Sequence, residues 1–339
     1  MKSMKAYLCI LLVCSILFAT ALSGCQKTEP EPSGEGDLRE VTVILDYTVN
    51  TNHTGLYVAK KLGYYEEAGL NVNIIEPADG VTPTLVATGK GEFGVTYQED
   101  LTYAKAADEP LPIKAIATLI QHNTSGFATA AEKNIAGVKD FEGKIYAGWG
   151  SPSEEAVIHA VMDMAGADFS KLTMVVSDSV GYYGLQDQYD IMWTYEAWDM
   201  IAAKRDGVDL NYFAVRSLDH RLDYYTPILI TNEETIAKDP ELVRAFLAAT
   251  EKGYRYAIEN PESAAEILHE TADTVDLGML TESQQYLAGK YMEDTDTWGL
   301  MKAEVWDNYT DFMMEYNLIA KDVPAEDCFT NEFLPGVGQ

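Results

Sequence analysis

Strand-like and helix-like segments alternate along almost the whole chain, and this rhythm limits the possible folds more than any other feature. Between the short β-rich runs, apolar residues recur at helical spacing. The strand candidates are residues 41–45, 72–75, 93–96, 113–120, 127–131, 144–147, 173–176, 191–194, 212–215 and 226–231. Helices between successive strands are typical of parallel sheets covered by helices. The sequence therefore predicts an α/β fold.

The order of these segments also predicts two lobes. Residues 127–131 are interpreted as the strand on which the chain crosses to a second lobe, and residues 226–231 as the strand that returns to the first. We therefore expect lobe 1 to comprise residues 41–131 and 226–339, and lobe 2 to comprise residues 132–225. Two crossings between lobes make a hinged cleft, in which a small ligand can be enclosed.

The N-terminal residues 1–24 have the composition of a signal peptide. Lys2 and Lys5 precede a nearly continuous apolar run, which is too short and wrongly flanked for a durable membrane span. The run ends in Leu-Ser-Gly before Cys25, which resembles a bacterial lipobox and implies cleavage and acylation at Cys25; an ordinary secretory signal is the alternative. Residues 25–40 are rich in Glu, Pro, Gly and Ser, which predicts a flexible tether. We expect an extracytoplasmic protein anchored to the cell membrane by its lipid.

Charge and cysteine content exclude several classes of function. The formal net charge is −30, and removal of Lys2 and Lys5 with the signal would make it −32, which argues against nucleic acid as a partner. The acidity is interpreted mainly as an adaptation to solubility or environment, with attraction of cationic ligands as the weaker alternative. Only Cys328 remains beyond Cys25, so an internal disulfide is excluded, and the scattered histidines do not predict a metal site.

Two polar segments that follow strands in the first half of the chain are candidate ligand sites. Asn50, Asn52 and His53 lie in a loop between a strand and a helix, where unpaired backbone N–H groups converge. Tyr97 and Gln98 follow the strand 93–96 directly and are expected to project into the cleft. Helix capping alone would also explain the asparagines, and helix initiation would explain the acidic Glu99 that follows.

Two further candidates lie in the predicted lobe 2. Trp149 and Ser151 belong to a glycine-rich turn, where Ser151, Pro152 and Glu154 fit a helix capping box and Trp149 offers an aromatic wall. Trp193, Tyr195 and Glu196 end a strand with aromatic rings and one carboxylate. Such a set suits a flat heterocycle, because rings stack on its faces while the carboxylate accepts from its amine. Burial in the core would also explain the tryptophans, whereas a lone buried carboxylate is costly.

Three motifs together resemble the pyrimidine-precursor-binding proteins of bacterial thiamine salvage transporters. They are NTNHTGLYVAKKLGYYEEAGLNV at 50–72, GEFGVTYQED at 91–100 and GWGSPSEEA at 148–156. The wider group includes sulfonate-binding proteins and the eukaryotic thiamine-pyrimidine synthase. The resemblance runs from about residue 41 to the C-terminal helices, and it implies a type II periplasmic-binding-protein fold. It also implies N-formyl-4-amino-5-aminomethyl-2-methylpyrimidine, or a relative such as hydroxymethylpyrimidine, as the ligand.

Carried over to this sequence, the resemblance implies that Glu196 pairs with the aminopyrimidine edge, with Trp193 and Tyr195 near the ring. The residues expected to meet the ligand from lobe 1 are Asn50, Asn52, His53, Tyr97 and Gln98. Lobe closure would then present the loaded protein, as a monomer, to an ABC permease with its ATPase. A sulfonate, riboflavin or another heterocycle is the alternative ligand.

An enzyme of the synthase type is the rival from another class. In the resemblance, Gln98 stands where the synthase has the lysine that holds pyridoxal phosphate, and Thr102 stands where its reactive histidine lies. The cysteine-rich run expected near residues 223–230 is absent, because the chain reads DYYTPILI there. Gln98 has no amine with which to form a Schiff base. No serine–histidine–acid or cysteine–histidine set can be assembled either, so the sequence predicts a binding protein without cofactor or metal.

Overall fold

Ten β-strands in the described part of the chain divide between two five-stranded sheets. The computed structural model of the protein describes residues 38–77, 82–177, 181–185 and 188–337. The strands are β1 (Arg39–Ile44), β2 (Leu70–Ile75), β3 (Phe93–Thr96), β4 (Ile113–Thr118), β5 (Ser125–Ala130), β6 (Ile145–Gly148), β7 (Thr173–Val176), β8 (Ile191–Tyr195), β9 (Leu210–Ala214) and β10 (Ile228–Asn232). Each predicted strand segment overlaps one of them.

Helices connect most successive strands and form the C-terminal part of the protein. The α-helices are α1 (Thr54–Lys61), α2 (Tyr64–Glu67), α3 (Thr82–Ala87), α4 (Gln98–Ala106), α5 (Pro152–Met164), α6 (Ile201–Arg205), α7 (Val215–Leu218), α8 (Glu233–Lys238), α9 (Pro240–Glu259), α10 (Pro261–His269), α11 (Leu277–Ala288), α12 (Ala303–Glu315) and α13 (Ala325–Cys328). Short 3-10 helices include Thr51–His53, and a π-helix spans Glu196–Met200. The βα alternation predicted from the sequence is confirmed.

The first sheet has the strand order β2–β1–β3–β10–β4. Strands β1, β2 and β3 are parallel, whereas β10 runs antiparallel to both β3 and β4. Every residue of β3 and β10 is buried, as expected for central strands covered on both faces. The carboxyl ends of β1 and β3 therefore lie next to each other at one edge of this sheet.

The second sheet has the strand order β7–β6–β8–β5–β9. Strands β6, β7 and β8 are parallel, and β5 is antiparallel to β8 and β9. The carboxyl end of β8 and the start of β5 lie together, because Ser125 is paired with Tyr195. The turn after β6 and the π-helix after β8 are thus at the same edge of the second sheet.

The first crossing between the lobes comes earlier in the chain than the sequence indicated. The predicted lobe 1 included residues up to 131, but β5 pairs with β8 and β9 and belongs to the second sheet. The crossing is therefore the segment 119–124, and lobe 2 begins with β5. The local pattern could not show this, because the sheet to which β5 belongs is decided by pairing partners 64 to 88 residues away in the chain.

The close packing of α1 against α9 holds the loop after β1 in place. A Cβ built on Gly253 of α9 would lie 2.0 Å from the Gly55 carbonyl oxygen of α1, so only glycine allows this approach. The Tyr254 hydroxyl donates to the Asn52 carbonyl oxygen at 2.7 Å. Phe246 of α9 stacks on Phe93 of β3, with ring centroids 3.9 Å apart. The helix therefore links the first sheet to the loop that precedes α1.

The predicted signal peptide, Cys25 and the predicted tether as far as residue 37 lie outside the described residues. Arg39 and Glu40, which the predicted tether also included, are the first residues of β1. In the parts of the chain that are described, no helix combines the length and the apolar character needed to cross a membrane. Those same parts contain no group of three or more His, Cys, Asp or Glu side chains arranged to hold a metal ion.

Candidate functional site

The candidate site lies between the lobes, where the carboxyl ends of β1 and β3 face those of β6 and β8. The Ser153 hydroxyl at the start of α5 donates to Glu99 Oε1 at 2.5 Å, which joins lobe 2 to lobe 1. A cavity of about 450 Å³ opens beside this contact. It is lined by Glu99, Asp100, Tyr103, Ser151, Pro152, Ser153, Asn317 and Leu318.

Asp46 is held at the end of β1 by two residues from the predicted ligand loops. His53 is fully buried, and its Nε2 lies 2.7 Å from Asp46 Oδ1. Its Nδ1 accepts from the Asn50 N–H at 3.2 Å, so Nε2 carries the proton and donates to Asp46. Burial raises the pKa of Asp46, but the contacts with His53 and the hydrogen bond from Tyr97 outweigh it and lower the pKa. Asp46 is therefore a carboxylate at neutral pH.

Glu99 and Asp100 add two further carboxyl groups at the start of α4. Glu99 Oε2 accepts from the Tyr309 hydroxyl at 3.2 Å, and Asp100 accepts from the Thr96 hydroxyl at 3.0 Å. Burial raises the pKa of both groups despite these hydrogen bonds, and the negative neighbours raise it further. A ligand that donates hydrogen bonds or carries a positive charge would relieve the repulsion between these carboxyl groups.

Tyrosine rings surround these carboxyl groups. Tyr195 at the end of β8 is 44% exposed as a residue, but its hydroxyl is enclosed. Burial of the hydroxyl raises the pKa of Tyr195, and the charges of Asp199, Glu99 and Asp46 raise it further. Burial and Asp46 likewise raise the pKa of Tyr97. Tyr224 is also buried beside Glu99, with its pKa raised for the same reasons. The phenols stay protonated, so they can donate hydrogen bonds and offer flat apolar faces.

The turn after β6 forms the aromatic wall of lobe 2. Trp149 is 52% exposed, packs edge-on against Trp193 at 5.4 Å between ring centroids, and donates from Nε1 to Ser151 Oγ at 2.9 Å. Ser151 caps α5 by accepting from the Glu154 N–H at 3.1 Å, as the sequence indicated. The indole nitrogen of Trp193 is buried without a hydrogen-bond partner among the described residues.

Glu196 occupies a second part of the cleft, with different surroundings. It is half-buried and accepts a hydrogen bond from the Tyr286 hydroxyl of α11. Burial raises the pKa of Glu196, although the charges of Arg216 and Lys290 act to lower it. The Ser283 hydroxyl, also on α11, donates to the Ala197 carbonyl oxygen at 2.5 Å, so this part of the cleft is again built by both lobes.

The family model described as NMT1/THI5-like matches residues 50–264. The chain belongs to the NMT1/THI5-like family. This match covers the end of the loop after β1 from Asn50 onward, β3 with the following Glu99 and Asp100, and the whole of lobe 2, whereas β1 and Asp46 precede it.

Relatives within this similarity differ in what their names say they do. The formylaminopyrimidine-binding protein of Halalkalibacterium halodurans is 28% identical, over 97% of this chain and 99% of its own. The riboflavin-binding protein RibY of Chloroflexus aurantiacus is 24% identical, over 97% and 96%. The 4-amino-5-hydroxymethyl-2-methylpyrimidine phosphate synthase of Legionella pneumophila is 26% identical, over 87% and 92%.

Solved structures show the same two-lobed architecture. The periplasmic aliphatic sulphonate-binding protein SsuA of Escherichia coli superposes with a TM-score of 0.66 at 15% identity, over 85% of this chain and 91% of SsuA. The predicted type II periplasmic-binding-protein fold is confirmed. At this identity the likeness concerns the fold alone.

The structure places the predicted ligand residues in different environments. Tyr97 and Tyr195 lie beside the carboxyl groups. Ser151 lines the cavity and accepts from Trp149, while Glu196 lies in the second part of the cleft. Asn50 caps the turn Thr51–His53, with its Oδ1 accepting from the Asn52 N–H at 2.9 Å. The ligand contacts of Asn50 and Asn52 stay predictions.

Gln98 has its amide engaged inside lobe 1. It is fully buried, accepts from the Tyr225 N–H at 2.8 Å and donates to the Val305 carbonyl oxygen at 3.2 Å. It thus ties the end of β3 to the returning crossing and to α12. A ligand contact for Gln98 stays a prediction that this placement does not favour.

Several residues of the site were not singled out from the sequence. Asp46, Asp100 and Tyr309 complete the carboxylate and tyrosine cluster, and Tyr286 holds Glu196. The signal for Asp46 was available, since an acidic residue directly follows a buried strand. Tyr286 lies 90 residues from Glu196 in the chain and Tyr309 lies 210 residues from Glu99, so no local pattern connects them to the cleft.

Proposed function

We propose that this protein is an extracytoplasmic solute receptor for an aminopyrimidine, with formylaminopyrimidine or hydroxymethylpyrimidine as the ligand. The observation that supports this most is the cluster of Asp46, Glu99 and Asp100 between the lobes, surrounded by tyrosines. Among the described residues, none of these carboxyl groups is paired with a lysine or arginine. Such a site suits a ligand that offers hydrogen-bond donors or positive charge.

An aminopyrimidine has hydrogen-bond donors that suit the carboxylates and a flat ring that suits the aromatic side chains. Its exocyclic amine and protonated ring nitrogen can donate to carboxylates in charge-assisted hydrogen bonds. Its flat ring can stack on Tyr195, Tyr97 or Trp149. A sulfonate would instead need cationic or N–H donors, and next to Asp46 and Glu99 it would meet like charge.

Glu196 is proposed as a second carboxylate that contacts the ligand, with Trp193 and Tyr195 near the ring. Its partner Tyr286 comes from lobe 1, so a ligand held by Glu196 would favour the closed arrangement. Asn50, Asn52 and His53 are proposed to support the ligand from lobe 1, His53 acting through Asp46. Binding energy that depends on both lobes shifts the population from open to closed protein.

Delivery to an ABC permease and its ATPase, by a monomer tethered through lipidated Cys25, completes the proposal. The full-length similarity to a formylaminopyrimidine-binding protein supports it. Synthase activity is not proposed, because Gln98 and Thr102 cannot supply the amine and imidazole of the synthase pattern. Both side chains are also buried, and the Thr102 hydroxyl donates to the Gln98 carbonyl oxygen at 2.9 Å.

Calorimetric titration of the purified protein tests the ligand. We expect one-to-one binding of formylaminopyrimidine or hydroxymethylpyrimidine, and no heat from taurine, thiamine or riboflavin. Binding of riboflavin but of no pyrimidine would contradict the proposed pyrimidine ligand and favour a riboflavin receptor like RibY. If no pyrimidine gives a heat of binding, the proposed ligand is refuted, whereas the conclusion about the fold is unaffected.

Charge-removing variants test the two carboxylates separately. Glu99→Gln and Glu196→Gln should each weaken pyrimidine binding by about 1.5–3 kcal/mol, since each loses a charge-assisted hydrogen bond. Glu109→Gln, an exposed residue beyond the end of α4, is the matched control and should bind like the unchanged protein. An unchanged dissociation constant for either variant would remove that carboxylate from the site.

A further inference from the structure

The carboxylate of Glu154 accepts hydrogen bonds from two backbone N–H groups of the turn between β6 and α5. Oε2 accepts from the Gly150 N–H at 2.7 Å, and Oε1 accepts from the Trp149 N–H at 3.2 Å. Oε1 also accepts from the Tyr146 hydroxyl at 2.5 Å. Glu154 is only 1% exposed, so this is a fully enclosed charge with three donors.

The same turn would otherwise be a site for an external anion. Its backbone N–H groups point together just before the 13-residue helix α5, whose dipole adds positive potential. Gly148 lets the carboxylate approach, since a Cβ built there would lie 1.6 Å from Glu154 Oε1. Gly150 has φ +81°, a left-handed conformation that aims its N–H into the turn.

Ordinary helix capping does not account for this arrangement. Ser151 already caps α5 through the Glu154 N–H. In a capping box the acidic side chain returns to the N–H of the capping residue, whereas Glu154 reaches past it to Gly150 and Trp149. The carboxylate fills the turn and does not complete the cap.

The filled turn borders the candidate ligand site. The charge of Glu154 raises the pKa values of Tyr195 and Glu99, the aromatic and acidic groups of the cleft, where burial is the largest cause. The adjacent Ser153 makes the hydrogen bond to Glu99 that joins the lobes. A ligand in the cleft therefore meets a turn in which Glu154 already accepts from the Trp149 and Gly150 N–H groups and whose charge is negative.

We propose that Glu154 determines specificity by acting as a built-in anion, so that the protein rejects ligands bearing phosphate or sulfonate. This inference rests on the proposed function for the pyrimidine part of the ligand. It restricts the ligand class to uncharged or cationic heterocycles. A phosphorylated pyrimidine would find the Trp149 and Gly150 N–H groups occupied and would face Glu154, Glu99 and Asp46 together.

The test compares hydroxymethylpyrimidine with its phosphate ester by calorimetric titration at constant ionic strength. The unchanged protein should prefer the alcohol by about a hundredfold or more, because each buried carboxylate opposes the phosphate. Glu154→Ala should reduce this ratio at least about tenfold by freeing the donors, and Glu154→Gln should reduce it by less. Glu155→Gln, an exposed residue of the same helix, should leave it unchanged.

Inorganic sulfate provides a second readout that does not depend on the pyrimidine. Glu154→Ala should bind sulfate measurably, whereas the unchanged protein and Glu155→Gln should not. The inference would be overturned if folded Glu154 variants prefer the alcohol over the phosphate ester as strongly as the unchanged protein does and do not bind sulfate. If the unchanged protein binds neither pyrimidine, the proposed function fails, and the sulfate titration still decides the role of Glu154. If thermal denaturation shows Glu154→Ala unfolded, Glu154→Gln decides both readouts.

Discussion

At the scale of single residues, Asp199 in the π-helix after β8 is the group whose ionisation should be easiest to detect. Its side chain is buried and accepts from the Tyr195 N–H at 2.8 Å. Burial raises the pKa of Asp199 to about 6, although that hydrogen bond acts to lower it. The folded protein therefore carries a costly negative charge beside the candidate site at neutral pH.

Asp199→Asn should stabilise the protein at neutral pH but not in acid. The folded pKa is above the unfolded value, so the stability due to Asp199 is complete below about pH 4 and is lost as the pH rises through 6. The difference in free energy of unfolding between variant and unchanged protein should grow by up to about 3 kcal/mol between pH 4 and pH 7.5. Denaturant unfolding at both pH values measures it, with the exposed Asp209→Asn as control. A difference that does not change with pH would contradict the assignment.

At the scale of elements, the two segments that cross between the lobes, residues 119–124 and the segment before β10 that contains Asp223, are hydrogen-bonded to each other. His122 of the first crossing lies 2.6 Å from Asp223 of the second, through Nδ1 and Oδ2. The Asn123 N–H donates to Asp223 Oδ1 at 2.9 Å, and His122 Nε2 lies 2.8 Å from Asp294. The hydrogen bond to Asp223 is the largest cause that raises the pKa of His122, while partial burial lowers it. The protonated histidine thus joins three segments at the hinge.

The interactions of His122 with Asp223 and Asp294 should weaken as the pH rises. Because the folded pKa of His122 is raised above 6.5, its stabilisation is complete below pH 6.5 and is lost as the pH passes the raised value. His122→Gln should therefore lower the free energy of unfolding by about 1 kcal/mol at pH 6 and by less at pH 9. Chemical unfolding at both pH values checks this. His220→Gln, at an exposed histidine, is the control, and an equal loss at both pH values would exclude a role for the charge.

At the scale of the whole molecule, the N-terminal segment is predicted to decide where the protein resides. Cys25→Ser should release the protein from the membrane without weakening ligand binding, because Cys25 is the proposed acylation site and is predicted to be separated from the cleft by a tether. Fractionation of cells followed by titration of the released protein measures both effects. Cys14→Ser, within the same N-terminal segment, should leave the protein on the membrane. Continued membrane retention of Cys25→Ser would refute the lipid anchor.

The sequence alone determined the elements of this protein and the family to which it belongs. All ten strand segments were predictable, because apolar periodicity and turn residues act over a few positions. Ser151 as the cap of α5 was predictable for the same reason, since its partner Glu154 lies three residues away. The motifs at 50–72, 91–100 and 148–156 indicated the family and the two-lobed fold without any tertiary contact.

Only the tertiary structure decided the pairing of distant segments. It placed β5 in lobe 2 through its pairing with β8 and β9, and it placed Asp46 beside Tyr97 and Asp100. It also gave Glu196 a partner in Tyr286 and engaged the amide of Gln98 within lobe 1. These contacts join residues from about 50 to more than 200 positions apart. Whether a carboxylate is exposed, paired or enclosed depends on neighbours that are distant in the chain, and the local sequence does not identify them.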